Sequence, residues 1–306
     1  MSAPAGGGRH LEEALRGGRF VLTAEITPPV SCDAHDLLAK ALPLKGLADA
    51  VNVTDGAGAR AHMDAVTAAG ILAANGIEPV LQLTCRDRNR IALQSALLAA
   101  AALGVRNILA LRGDNPQAGD QPDAKPVFDL DARALLQTAA RLRDRGELPS
   151  GRKMSGKADF FLGAADMPID PPAGWKPDSL DTKIAAGAQF AQTQFCMDAQ
   201  LLRRYMARLT EHGIAGRLAM IVGVVPLRSA KSARWIKQNL FGSVIPDAMI
   251  ARMETAADPA REGKAMLADY LEEVAAIPGV AGAHIMAPNN DEAVPEVIAA
   301  FRRRRG

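Results

Sequence analysis

Aromatic side chains are scarce in this chain of 306 residues: Phe, Trp and Tyr make up 4% of it, against a hydrophobic fraction of 48%. A core drawn from Ala, Leu and Val favours helices packed on a sheet over a β-sandwich. There is also little excess of one charge. A formal net charge of +2 leaves no electrostatic footprint for nucleic acid, and the closing Arg302-Arg303-Arg304-Arg305 reads as a solvated helix end. The three cysteines, Cys32, Cys85 and Cys196, lack any paired spacing. That argues against a disulfide framework or a zinc knuckle and fits a reducing, cytoplasmic compartment. No apolar run is long enough to span a bilayer, so no membrane association is expected. Residues 1–9 are Gly- and Ala-rich without the pattern of a signal peptide and are read as a flexible leader.

What is present is alternation. The stretch 107–114, Asn-Ile-Leu-Ala-Leu-Arg-Gly-Asp, pairs an apolar run of strand length with a polar end. The same pattern recurs. Strands are expected at 20–26, 50–54, 79–83, 107–111, 160–164, 190–195, 218–224 and 281–286. Helices are expected at 10–17, 35–44, 61–74, 91–103, 130–145, 179–186, 199–212 and 230–240, with two further helical stretches before the last strand and one helix after it. Asn75-Gly76 and Gly104 are good helix stops. Segment 114–129 reads as a long loop, and the proline-rich 166–175 as irregular.

Eight strand–helix units with short connections imply parallel strands and right-handed crossovers. They fit one (β/α)8 TIM barrel over residues 18–306, preceded at 1–17 by the leader and a short helix that could cover the barrel's bottom. The rival is an open doubly wound sheet, but no Gly-x-Gly-x-x-Gly follows the first strand.

In a barrel the carboxyl ends of the strands meet at one mouth. Here they carry Glu25, Thr54-Asp55, Gln82-Leu83-Thr84, Arg112-Gly113-Asp114, Thr193-Gln194 and His284. Carboxylates, amides, hydroxyls and a single Arg in one cleft have acid–base capacity, whereas the absence of grouped His or Cys gives no metal site. Glu25 sits inside an apolar strand just before Pro28-Pro29, where desolvation favours a protonated carboxyl, the condition for a general acid. The alternative is a buried Glu paired with a cation such as Arg112.

These residues resemble the methylenetetrahydrofolate reductases. Ala24-Glu25-Ile26-Thr27-Pro28-Pro29 is similar to that family's Glu-before-Pro-Pro first strand, and Gln82-Leu83-Thr84-Cys85 to its His-Leu-Thr-Cys. Leu111-Arg112-Gly113-Asp114 matches its Leu-Arg-Gly-Asp, and Lys183 to Ala188 with Thr193-Gln194-Phe195 looks like its Lys-x-x-x-Gly-Ala and Thr-Gln-Phe segment. Four motifs in order are far more specific than one.

The resemblance implies an FAD-containing barrel that takes hydride from NADH or NADPH and passes it to 5,10-methylenetetrahydrofolate, giving 5-methyltetrahydrofolate. Glu25 matches the acid that opens the folate imidazolidine ring, and Asp114 the carboxylate near flavin and pterin. Gln194 matches the amide that contacts folate. Thr54, Gln82, Arg112, Gly113, Asp114 and Lys183 fall at positions that hold FAD, with Ala164 and Ala165 lining it. A homo-oligomer or a partner subunit is also in keeping with the family. The chain departs from the better-known bacterial members at Gln82, where His is usual, and over 166–175, where a Tyr and a His stand against FAD. It departs again at Ala230, where those members carry a Phe over the substrate. Two other readings remain open at this point: a flavin-free, pterin-binding methyltransferase, and a folate- or flavin-binding subunit active only with a partner.

Overall fold

The structure, a computed structural model of the chain, describes residues 10–305. The leader read at 1–9 lies outside them. Eight strands, β1 (Val21–Ile26), β2 (Ala50–Val53), β3 (Pro79–Thr84), β4 (Asn107–Leu111), β5 (Phe161–Asp166), β6 (Phe190–Phe195), β7 (Ala219–Val224) and β8 (Val280–Ile285), follow one another around a closed parallel barrel. Closure is made by β8 against β1, with Thr23 opposite His284 and Ala24 opposite Ile285. This is the expected (β/α)8 TIM barrel.

The strands alternate between two environments, as a period of two requires. One set, including Leu22, Ala24, Leu81, Leu83, Ala164 and Val222, is buried in the large core between sheet and helices. The other faces the barrel interior, where Val21, Ala50, Val80, Leu109, Phe161, Phe190 and Ile221 form an apolar floor. Phe161 and Phe190 stack there with ring centroids 5.0 Å apart. Gly163 makes room for them, since a Cβ on it would lie 2.3 Å from the Phe190 ring. Helix His10–Arg16 closes the floor from below through Leu11 and Ala14. Its first amides donate to the Glu78 carboxylate, His10 N at 2.9 Å and Leu11 N at 3.2 Å, and Asn107 Nδ2 donates to the same group at 2.9 Å.

Local differences from the expected boundaries have local causes. The helix expected from residue 61 begins at Ala65 because Asp64 caps it, accepting from Thr67 N at 2.9 Å. Strand β5 runs two residues past the expected end at 164, since its ladder to β6 continues through Ala165–Gln192 and Asp166–Thr193. The remainder, 167–177, contains neither helix nor strand. The four closing arginines end helix Ala293–Arg305, where Arg304 pairs with Asp269 at 2.9 Å. Among the described residues no helix is long and apolar enough to cross a membrane.

Candidate active site

Above the apolar floor the barrel interior turns polar in one step. Thr23, Asn52, Gln192 and His284 are all buried there, each on the inward face two residues beyond a floor position or on a strand paired with one. Their side chains are joined to one another. Asn52 Nδ2 donates to Gln192 Oε1 at 2.6 Å, and Gln192 Nε2 donates back to Asn52 Oδ1 at 3.1 Å and to Thr23 Oγ1 at 3.2 Å. Thr23 Oγ1 lies 2.9 Å from His284 Nδ1. With Gln192 donating to it, Thr23 Oγ1 keeps its own proton to give to Nδ1, an arrangement that puts the His284 proton on Nε2 when the ring is in that tautomer. That nitrogen is 3.5 Å from Glu25 Oε2.

Glu25 stands one step higher, half-buried near the end of β1. Gln82 Nε2 donates to its Oε2 at 2.7 Å. So the alternative pairing of Glu25 with Arg112 is not made. Arg112 is exposed, with its guanidinium carbon 5.1 Å from the centroid of the Phe128 ring on the returning loop. Asp55, expected among the mouth carboxylates, is also committed elsewhere: it accepts from Thr84 N at 2.8 Å, Thr84 Oγ1 at 2.9 Å and Arg88 Nη1 at 2.7 Å.

The other expected residues ring this floor. Thr54, two positions beyond Asn52 and on the same face, has a buried hydroxyl with no hydrogen-bond partner. Gly113 follows β4 with φ +91°, and a Cβ on it would sit 2.9 Å from Arg86 Cβ and 3.1 Å from Thr84 Cβ, so glycine is required both for conformation and for space. Asp114 beside it is exposed. Gln194 donates to Phe241 O at 3.2 Å and accepts from Phe195 N at 3.0 Å, which leaves one N–H and one lone pair for a ligand. Lys183 Nζ donates to Ala165 O at 2.7 Å. Of the expected alanine pair, Ala165 is exposed at the mouth, whereas the Ala164 side chain is buried in the outer core against the helices. Strand alternation therefore removes the Ala164 side chain from the lining.

Three features at the strand ends are free to meet an anionic, polar group: the unpartnered Thr54 hydroxyl, and the Arg112 and Lys183 cations, neither of which makes an ion pair among the described residues. The donor set fits such a group.

Sequence reasoning missed two parts of the site. The buried tier of Thr23, Asn52 and Gln192 could have been found from period-two spacing, because each lies two residues before an expected mouth residue. Asp166 was read as the first residue of a loop. It ends β5 with its carboxyl buried, accepting from Tyr205 Oη at 2.7 Å beside Lys183. Burial raises its pKa above the ordinary 3.8, and the Tyr205 bond and Lys183 only partly oppose this. A carboxyl raised in the folded state contributes stability at low pH that is lost as pH rises through its folded value. Asp166→Asn keeps the acceptor for Tyr205 and removes that loss. Its melting temperature relative to the parent should therefore climb as pH rises from the ordinary carboxylate value upward. A constant difference across thermal melts in that range would show that Asp166 does not titrate as described.

A family model described as methylenetetrahydrofolate reductase matches residues 10–302. The chain is 29% identical over 224 residues to the 5,10-methylenetetrahydrofolate reductase of Pectobacterium carotovorum subsp. carotovorum, covering 70% of this chain and 66% of that one. It is 28% identical over 169 residues to the protein of that name from Escherichia coli strain K12, covering 54% and 49%. Against a probable methylenetetrahydrofolate reductase (NADPH) from Caenorhabditis elegans it is 29% identical over 185 residues, 58% of this chain and 25% of the other. The chain thus spans about a quarter of the nematode relative and between about half and two thirds of the bacterial ones. A solved structure of a Clostridium thermocellum protein, described as binding two copies of 5-methyl-5,6,7,8-tetrahydrofolic acid, shares the fold with a TM-score of 0.62. The identity there is 13%, over 96% of this chain and 98% of that one.

Proposed function

The chain belongs to the methylenetetrahydrofolate reductase family, and on that premise we propose that it reduces 5,10-methylenetetrahydrofolate to 5-methyltetrahydrofolate with hydride from NADH or NADPH. The observation that carries this reading is Glu25, a carboxyl near the end of β1 held through one oxygen by Gln82 and His284. Both contacts go to Oε2, which leaves Oε1 for a substrate proton.

The substrate's five-membered ring must open before its carbon can accept hydride. Protonation of the leaving ring nitrogen drives that opening and produces an electrophilic iminium, and Glu25 is the acid placed to give this proton. Gln82 fixes the carboxyl while it does so. His284, oriented by Thr23 and through it by Gln192 and Asn52, keeps an N–H facing the carboxylate that remains, so that negative charge formed on Glu25 is met by a preset donor. The pterin's amide and amino edge needs acceptors and donors in one plane. Asp114 and the free N–H and lone pair of Gln194 supply that combination.

FAD, when bound, supplies the hydride carrier between nicotinamide and folate. Thr54, Gln82, Arg112, Gly113, Asp114, Ala165 and Lys183 would hold it, the two cations offsetting its phosphate charge. The reading is tested by anaerobic incubation of the purified protein with NADH or NADPH and methylenetetrahydrofolate. Formation of 5-methyltetrahydrofolate supports it, and nicotinamide oxidation with no methylated product counts against it.

A further inference from the structure

We propose that Phe241 is the aromatic face on which the substrate's aminobenzoyl ring rests at the rim of the mouth. The proposal rests on the folate reading above. Phe241 is 86% exposed, the most exposed large hydrophobic side chain among the described residues. A lone exposed apolar residue is ordinary on a protein surface. This one differs in where it stands and how firmly its backbone is held.

Its carbonyl accepts from Gln194 Nε2 at 3.2 Å, so the ring is carried on backbone tied directly to the amide proposed to read the pterin. The following residues are anchored on both sides. Val244 N donates to Phe195 O and Met197 N donates to Val244 O, each at 2.8 Å, which adds the segment beside the end of β6. Gly242, at φ +79°, is pressed against Met167, whose Sδ would be 2.0 Å from a Cβ at that position. A turn fixed at these points holds its aromatic ring in water, where a flat ligand ring laid on it would take apolar surface out of solvent.

The geometry also indicates which part of the substrate arrives there. Glu25 lies below at the end of β1 and takes the reacting end of the pterin, so the aminobenzoyl ring trails outward past Gln194 toward the rim. Flat aromatic rings gain from offset stacking beyond the area they cover.

The test measures binding of 5-methyltetrahydrofolate, and of a 5-methyltetrahydropterin lacking the aminobenzoylglutamate, by titration calorimetry of the parent chain, Phe241→Ala and Phe241→Tyr. Phe241→Ala should weaken folate binding by about tenfold, the contribution of one aromatic pair, while its affinity for the bare pterin stays within about twofold of the parent. Phe241→Tyr should retain the parent affinity for both. Unchanged folate affinity in Phe241→Ala, or an equal loss for the two compounds, overturns the role of Phe241 and leaves the folate reading standing. A parent chain that binds neither compound overturns the folate reading and this proposal with it.

Discussion

Replacing Glu25 by Gln should lower the rate of folate reduction by roughly 10²- to 10⁴-fold, the range for loss of a positioned general acid, while oxidation of the nicotinamide continues near the parent rate. The substitution keeps the shape of the side chain and an oxygen to accept from Gln82, which now donates at 2.7 Å. What it removes is the proton for the leaving ring nitrogen. Nicotinamide oxidation involves no such ring opening, so the two half-reactions must separate. Rapid-mixing measurements of each half-reaction check this. An equal loss in both would assign Glu25 a role in holding the cofactor or the barrel, and the acid would have to be sought elsewhere.

The second large effect is structural. Gly223→Ala should destabilise the chain by roughly 3 kcal/mol or more, at the upper end of the cost of overpacking a core, with a melting temperature lowered by roughly 5–10 °C. A Cβ at that position would lie 2.2 Å from Thr193 O and 2.8 Å from Gln194 O, backbone atoms that cannot swing aside. The register of β6 against β7 shifts at this point, between Gln192 and Phe195. Gly223 N donates to Thr193 Oγ1 at 2.9 Å to hold the irregularity. The same change would therefore disturb the orientation of Gln194 at the mouth. Gly216→Ala is the control, since a Cβ there meets nothing within 4 Å and the residue has no left-handed backbone. It should be neutral or slightly stabilising, because alanine restricts the unfolded chain. Thermal melts of the two variants distinguish a local collision from a general intolerance of substitution.

The barrel was legible because its strands are short apolar runs that each end in polar residues, and because glycine and proline punctuate the helices between them. Glu25, Gln82 and Gln194 could be read as mouth residues from that rule alone. Their partners could not. Whether Glu25 meets Arg112 or His284 depends on which strands adjoin, and β8 closes against β1 while Arg112 is drawn to Phe128. Asp55 looked as available as Asp114, yet Thr84 and Arg88 occupy its oxygens, a contact that depends on the path of the loop after β3. The tier of Thr23, Asn52 and Gln192 was hidden by its setting, since single polar residues within apolar strands read as noise until alternation is applied to all eight strands together. Asp166 was hidden by the proline at 168, which suggested that the strand had already ended. Phe241 carries no local signal at all, because its place at the rim follows from the pairing of 244 with the end of β6.

In the proposed reaction hydride passes from a nicotinamide to methylenetetrahydrofolate by way of a flavin. The most direct measurement is the visible absorbance spectrum of the purified protein, after supplying FAD, followed anaerobically through additions of NADH or NADPH and then methylenetetrahydrofolate. Flavin bands should bleach with nicotinamide and return with the folate. A protein that stays colourless after exposure to FAD and oxidises no nicotinamide would contradict the proposed reaction.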